Sequence, residues 1–293
     1  MSTPTTSAAT PPPSSPPPDP APAPAPAAAG AAGPGRAVAP VVERRPWSVL
    51  GPEFIASWCR PNGTFQPENL EVIGQNGSGK SFLLVQILVE MVRRRSSSVI
   101  YIATKQADKT IAAMGWPVVD SWREVRQHEQ VVFWPKTSRT GKARKAYQAA
   151  KIQELLDNLW GAEANTIVVF DEFAYVESLD QDLKDTLQMY LREGRSHGIC
   201  CVAGKQRVQG VQRDMHSESV WTVIFPIKDR DDRLRAAELL GGRSEWMPAL
   251  SSLSKARHEF LIQYQPEDSQ YISWVDAPVD PKVVAAKTNS YRR

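Results

Sequence analysis

Eight consecutive residues, Gly74-Gln75-Asn76-Gly77-Ser78-Gly79-Lys80-Ser81, constrain this chain more than any other stretch. They match the spacing of glycine, any four residues, glycine, lysine and then serine or threonine. Three glycines permit a turn tight enough for successive backbone N–H groups to converge on one anion, and a following helix adds the positive end of its dipole. The pattern reads as a phosphate cradle, the P-loop, in which Lys80 reaches the β- and γ-phosphates of a nucleotide and the Ser81 hydroxyl holds Mg²⁺. Both flanks agree. Leu70 to Ile73 is a short apolar run suited to a buried strand, and Phe82 to Val92 is a long apolar segment without a breaker.

A second stretch, Thr166-Ile167-Val168-Val169-Phe170-Asp171-Glu172, reads as a buried strand that delivers two carboxylates to the edge where α/β sheets bind ligands. Asp171 suits the Mg²⁺ shell. Glu172, one residue on and pointing the other way, is positioned as the base that orients or deprotonates an attacking water. The bland alternative is a pair of ordinary surface acids. Ser98 to Thr104 supplies a further strand between these two, and such a strand separates RecA-like motors from the kinase and GTPase branch. Thr104-Lys105-Gln106-Ala107 nearly matches the guanine-reading motif, but Ala107 stands where an aspartate must pair with the base, so GTP specificity is rejected in favour of ATP.

The remaining elements fit an α/β, RecA-like (ASCE) P-loop fold: a mostly parallel central sheet, helices on both faces and a C-terminal β-hairpin. Helices are expected over Glu53 to Cys59, Ala146 to Trp160, Gln181 to Glu193 and Arg230 to Leu240, the last stopped by Gly241-Gly242. Strands are expected over Val131 to Trp134, Ile199 to Ala203 and Trp221 to Ile227, with a hairpin of Glu259 to Tyr264 and Tyr271 to Val275. Residues 105 to 130 read as a helical and loop excursion, and Lys136 to Lys145 as a basic loop. The strand beside the acidic one ends, in RecA-like motors, in a polar sensor of the γ-phosphate. Gln206 is the first candidate and Lys205 the second. His197 reads as a solvated or capping histidine.

Composition sets the boundaries. More than half of the 24 prolines lie at or before Pro46, and the first forty positions carry only Asp19 and Arg36 as charges. Residues 1–45 therefore read as a disordered Pro/Ala-rich tail, without the basic start and apolar centre of a signal peptide. A motor domain is expected over 46–278 and a basic tail over 279–293. No apolar run is long enough to span a bilayer, and three cysteines, with Cys200 and Cys201 adjacent, make neither a disulfide framework nor a metal pattern. A soluble protein of a reducing cytoplasm is expected. The net charge of +3 is too small to diagnose a nucleic-acid partner. Local patches at Arg93 to Arg95, and at Lys136, Arg139, Lys142, Arg144 and Lys145, are either a solvated face or DNA contacts.

Taken together these motifs resemble the HerA–FtsK superfamily of hexameric DNA-pumping ATPases. Gly194-Arg195-Ser196-His197-Gly198-Ile199 leading into Ala203-Gly204-Lys205-Gln206-Arg207 is similar to that family's Gly-Arg, Gly-Ile, strand, Thr-Gln-Arg stretch. Asp232, Arg233, Leu239-Leu240-Gly241, Leu250, Leu253 and Glu259-Phe260-Leu261 are similar in layout to its C-terminal part, so the resemblance covers roughly residues 68 to 265. It implies that Gln206 is the sensor and that Arg195 is an arginine finger reaching into a neighbouring subunit's site, with Arg192 as the alternative. Lys205 departs from the family's threonine. The absence of a winged-helix reader, an N-terminal barrel or an inserted helical domain leaves a bare motor, which resembles the genome-packaging ATPases of tailless, internal-membrane phages.

What the resemblance implies is an ATP- and Mg²⁺-dependent translocase of double-stranded DNA. It would assemble as a homo-oligomeric ring, a hexamer by preference, in the host cytoplasm, with capsid-vertex or transfer-complex proteins as further partners. Arg207, Arg213, Lys142, Arg144 and Lys145 are then candidates to contact DNA phosphates in a channel. Two alternatives stay open: a plasmid or phage DNA mobilisation motor, and an ATP-dependent assembly switch that transports no DNA.

Overall fold

The computed structural model describes residues 42–57, 68–93, 98–105, 109–160, 165–208, 213–280 and 282. The proline-rich segment to residue 41, Trp58, Cys59, Arg94, Arg95, Gln106, Ala107 and the basic tail from residue 283 lie outside them, as do the side chains of Arg93 and Arg213. Ten strands are present among the described residues: β1 (Glu43–Pro46), β2 (Asn69–Ile73), β3 (Ser98–Ile102), β4 (Val118–Val119), β5 (Gln130–Phe133), β6 (Thr166–Phe170), β7 (Ile199–Lys205), β8 (Ser219–Ile224), β9 (Phe260–Tyr264) and β10 (Ser269–Trp274). The helices are α1 (Trp47–Ser57), α2 (Lys80–Arg93), α3 (Lys109–Ala113), α4 (Trp122–Val125), α5 (Gly141–Trp160), α6 (Phe173–Glu177), α7 (Gln181–Glu193), α8 (Arg213–Ser217), α9 (Arg230–Leu239) and α10 (Arg243–Ser252).

All ten strands join one sheet in the order β1-β10-β9-β8-β2-β7-β6-β3-β5-β4. The stretch from β8 to β4 is parallel throughout, and β9 runs antiparallel to both of its neighbours. Parallel strands covered on both faces need apolar side chains on both, which is why residues 99–102, 167–170 and 199–203 read as unbroken apolar runs in sequence. Alternation then divides the core. Val99, Tyr101, Ile167, Val169 and Val202 face Leu83, Ile87 and Leu88 of α2, while Ile100, Ile102, Val168 and Phe170 face Ile152 and Leu156 of α5 and Leu187 of α7. Each such buried aliphatic stabilises the fold by about 1.5–3 kcal/mol. The expected α/β architecture, mostly parallel sheet and C-terminal hairpin are all present.

Ser98–Ile102 lies between the two motif strands in the chain, yet in the sheet it sits outside β6. The strand interposed between β2 and β6 is β7. This ordering sets the site, because it puts the ends of β2, β7, β6 and β3 side by side along one edge.

Several elements depart from the sequence reading. Helix α1 starts at Trp47 rather than Glu53, because Trp47, Leu50, Gly51, Phe54 and Ile55 are buried at helical spacing while Pro52 faces outward. A Cβ on Gly51 would lie 2.8 Å from the Trp47 indole, so only glycine admits that ring. Asp276 fastens the helix start by accepting from the Ser48 backbone N–H at 2.9 Å and the Ser48 hydroxyl at 2.6 Å. Helix α5 begins at Gly141, so Lys142, Arg144 and Lys145 ride on its first turns instead of a loop. Helix α10 was obscured by Pro248 within it, and the parallel pairing of β1 with β10 had no local signal. Strand β7 runs to Lys205, two residues beyond the expected end at Ala203.

Candidate active site

The cradle forms where β2 ends. A Cβ on Gly74 would lie 2.7 Å from both Phe225 Cβ and Ser78 Oγ, so the turn closes only around glycine. Gly77 and Gly79 hold φ of +72° and +108°, the left-handed region that side chains avoid. Lys80 opens α2 and its Nζ donates to the Gly74 carbonyl at 2.5 Å. Burial holds its pKa below the usual lysine range, against the opposing pull of Glu172 and Asp171. Ser78 Oγ is buried without a hydrogen-bond partner among the described residues, a polar atom turned into the loop. The resulting cleft, about 330 Å³, is lined by Gln75, Asn76, Lys80, Ser81, Phe82 and Lys105 among others. A glycine turn leading into α2, Lys80 and the Ser81 hydroxyl, all lining one cleft, fit a polyphosphate.

A residue from the far end of the chain closes this loop from outside. His258, in the turn before β9, has φ of +49°, and its Nδ1 donates to the Ser78 carbonyl at 3.0 Å. The next residue, Glu259, is a fully buried carboxylate that accepts from Arg44 at 2.7 Å and the Ser254 backbone N–H at 2.8 Å and forms an ion pair with Arg257 at 3.0 Å. Burial raises its pKa, but those donors outweigh it and hold the carboxyl below its ordinary value.

The end of β6 supplies the carboxylates. Asp171 is 3% exposed, and its Oδ1 accepts from the Tyr101 hydroxyl at 2.9 Å and the Ser81 hydroxyl at 3.2 Å. Lys105 Nζ, from just past β3, stands 2.9 Å from Asp171 Oδ2 and 3.3 Å from Glu172 Oε1. Burial works against the Lys105 charge, yet Asp171 and Glu172 together raise its pKa. Glu172 also accepts from Gln206 Nε2 at 2.5 Å. Ser81 and Asp171 offer a hydroxyl and a carboxylate within one hydrogen bond of each other. Those are hard oxygen donors of the kind Mg²⁺ takes alongside waters and substrate phosphates. No group of three or more His, Cys, Asp or Glu side chains that could cage a metal occurs among the described residues.

Close approach of β7 to β6 depends on Gly204, where a Cβ would lie 2.4 Å from the Asp171 carbonyl oxygen. Beyond it, alternation sends Lys205 inward and leaves Gln206 at the strand end. Lys205 Nζ pairs with Glu71 Oε1 at 2.6 Å, with side chains 1% and 2% exposed. That pairing removes Lys205 as a second sensor candidate, since its ammonium is spent inside the sheet. The other Glu71 oxygen meets His216 Nδ1 at 3.0 Å. Burial alone would raise the Glu71 pKa, but His216 and Lys205 hold it below the ordinary range, so the carboxylate stays charged.

Gly74 to Ser81, Asp171, Glu172 and Gln206 thus converge, while Arg195 and Arg192 do not. Both arginines are exposed at the start of β7, in the turn Gly194–His197 and the end of α7, on the sheet edge opposite the cradle. The seven residues of β7 alone separate the two edges by roughly 20 Å. His197 rests against the Trp160 ring, centroids 4.1 Å apart. Cys200 and Cys201 are buried, and burial pushes the Cys201 thiol up to about 12, so neither is a nucleophile at neutral pH.

The basic residues fall into distinct settings. Arg207 is 64% exposed, meets Asp232 at 3.2 Å and lines a cleft of about 530 Å³ with Glu172, Tyr175, Gln206 and Arg144. Arg144 is turned inward and donates to the Thr104 carbonyl at 2.8 Å. Lys136 and Arg139 lie over the rings of Trp134 and Tyr147. Lys142 and Lys145 remain exposed.

Sequence reasoning missed Tyr101, Lys105 and His258. For the first two a signal existed. Strands of a parallel sheet end at the same level, so polar residues at the end of β3 belong beside Asp171, as the register Ile102 to Phe170 requires. Nothing local marks His258.

No family model and no curated protein matches the sequence. Solved structures do match the fold. The genome packaging NTPase B204 from Sulfolobus turreted icosahedral virus 2, in complex with sulfate, superposes with a TM-score of 0.57 at 15% identity, over 72% of this chain and 98% of that one. B204, the DNA-packaging ATPase from Sulfolobus turreted icosahedral virus, gives 0.54 at 16% identity over 73% and 100%. The Thermomonospora curvata EccC ATPases 2 and 3, in complex with a signal sequence peptide, give 0.51 at 11% identity over 76% and 42%. The likeness lies at the level of fold, a P-loop ATPase fold of the kind the sequence motifs indicate. Among the described residues no helix is long and apolar enough to cross a membrane.

Proposed function

We propose that the chain is an ATP-hydrolysing motor that assembles as a ring and moves double-stranded DNA, packaging a viral genome. The observation that carries this reading is the Gln206–Glu172 hydrogen bond at 2.5 Å, beside the P-loop and on the edge opposite Arg195. A nucleotide switch that only binds needs no base with a polar reporter attached. Arg195, one strand length from its own cradle, can act in hydrolysis only at a neighbouring subunit's site. Similarity to the genome packaging NTPase B204 and the DNA-packaging ATPase B204 supports the same reading at the level of fold.

In the proposed mechanism the loop amides and Lys80 bind and orient the β- and γ-phosphates. When bound with the nucleotide, Mg²⁺ neutralises phosphate charge, and Ser81 and Asp171 are the residues that fit it. The Glu172 carboxylate accepts a proton from, or orients, the attacking water, and Gln206, donating to its Oε1, holds that carboxylate in place. Arg195 of each subunit stabilises the transition state in the next one. A finger of that kind is worth about 10³–10⁵ in rate. Lys142, Lys145 and Arg213 are the proposed contacts to DNA phosphates, giving salt-sensitive binding tolerant of sequence.

The test is steady-state hydrolysis with and without linear duplex. Stimulation that weakens with added salt is expected. Turnover indifferent to duplex at any ionic strength refutes DNA transport and leaves the assembly-switch alternative.

A further inference from the structure

Lys105 is the most heavily anchored residue of the site that the mechanism does not use. Its backbone oxygen accepts from the Trp134 indole at 2.6 Å. The preceding carbonyl, of Thr104, accepts from Arg144 at 2.8 Å and Gln148 at 3.1 Å, and the Ala103 N–H donates to the Phe133 carbonyl at 2.9 Å. Gln148 in turn accepts from the Tyr175 hydroxyl at 2.8 Å. The strand end is thus a fixed perch from which only a four-carbon side chain can move.

That side chain occupies a particular point. Its ammonium bridges Asp171 and Glu172, the two carboxylates with different proposed duties, at 2.9 and 3.3 Å. It lines the P-loop cleft together with Lys80 and Ser81, and also the cleft on the far side of Glu172. A γ-phosphate reached by Lys80 and faced by Glu172 must lie against this same point. A buried ion-pair clamp would be shut away from both clefts, as Lys205 and Glu71 are, whereas Lys105 is 38% exposed.

We propose that Lys105 is a second cis-acting catalytic cation: it neutralises the Asp171–Glu172 pair when no nucleotide is bound and turns onto the γ-phosphate when Ser81 and Asp171 hold Mg²⁺. A cation held by Asp171 repels the Lys105 ammonium and weakens its hold there, and the phosphate oxygens are an anion within the reach of its tether. The inference rests on the nucleotide-site reading above and deepens it. Lys105 distinguishes triphosphate from diphosphate, because only the triphosphate brings a γ-phosphate for its ammonium to turn onto.

Equilibrium binding tests this without turnover. Titration of the full chain with Mg·ADP and with Mg·ATPγS gives an affinity ratio for the wild type, for Lys105→Met and for Lys105→Arg. A lost charge-assisted contact corresponds to about 10-fold or more. Lys105→Met is therefore expected to weaken Mg·ATPγS by about that factor while Mg·ADP stays within about twofold, and Lys105→Arg is expected to recover part of the ratio. A wild-type ratio in Lys105→Met overturns the assignment and leaves Lys105 a clamp on the carboxylates. Failure of the wild-type chain to bind either nucleotide overturns the P-loop reading and this inference with it.

Discussion

The buried pair Glu71–Lys205 makes a sharp quantitative prediction, because both side chains are almost wholly inside the sheet. Glu71→Leu leaves the Lys205 ammonium without its hydrogen-bond partner, with the Phe173 ring 6.0 Å away and the charge of Glu177 acting on it without a hydrogen bond. Breaking a buried pair on one side costs about 3–5 kcal/mol. Lys205→Met is expected to cost less, since Glu71 keeps His216 at 3.0 Å. The double variant Glu71→Leu, Lys205→Met removes both charges at similar volume and should recover most of the Glu71→Leu loss, falling short of the wild type by what His216 loses with its Glu71 partner. For a domain of this size 1 kcal/mol moves Tm by about 2–4 °C, so Glu71→Leu should melt about 6–20 °C lower. Urea and thermal unfolding followed by circular dichroism give all four corners of the cycle. If Glu71→Leu loses less than about 1 kcal/mol, or if the double variant is worse than the sum of the singles, the pair is not acting as described.

The same pair fixes an acid limit. The folded pKa of Glu71, like that of Glu259, lies below its ordinary value of 4.5, so each contributes stability that is present above that value and lost as pH falls through the lower folded one. Melting between about pH 6 and pH 3 should therefore steepen downward, and the double variant should lose part of that dependence. Gly204→Ala forces a methyl against the Asp171 carbonyl and parts β7 from β6; a fall in kcat of about 10-fold or more is expected, and unchanged turnover would show that the strands need no such contact. Lys80→Ala should abolish hydrolysis, and normal turnover in it would dismiss the P-loop as the site. Mixing Arg195→Ala with Glu172→Gln chains should restore activity that neither has alone, whereas inactivity at every ratio argues against a finger supplied in trans.

Much of the site was legible because strand ends carry it. Gly74 to Ser81, Asp171-Glu172 and Gln206 each follow an apolar run whose end is marked in sequence, and each lands on the expected edge. Lys205 was misjudged for a reason of two residues: β7 continues past Ala203, and alternation then buries Lys205 beside Glu71 rather than presenting it to phosphate. Tyr101 and Lys105 escaped because their role depends on β3 lying beside β6, a neighbour relation fixed by sheet order. His258 reaches Ser78 across 180 positions, and only the packing of the β9 turn brings them together. Helix α10 shows the converse, a local breaker overruled by burial of Trp246, Leu250 and Leu253.

Strand β7 bears Gln206 at one end and leads out of the Arg195 turn at the other, with all seven of its residues buried. A strand held by β6 over residues 199–203 and by β2 over residues 202–205 is gripped at both ends, so it tilts or slides as a piece rather than bending freely. In the proposed ring, a shift of Gln206 on loss of the γ-phosphate in one subunit would therefore be felt as a displacement of the arginine offered to the next. The strand would act as a lever, with its fulcrum in the sheet, so that firing at one interface cocks or releases the adjoining one. Sequential order around the ring would then need no separate messenger.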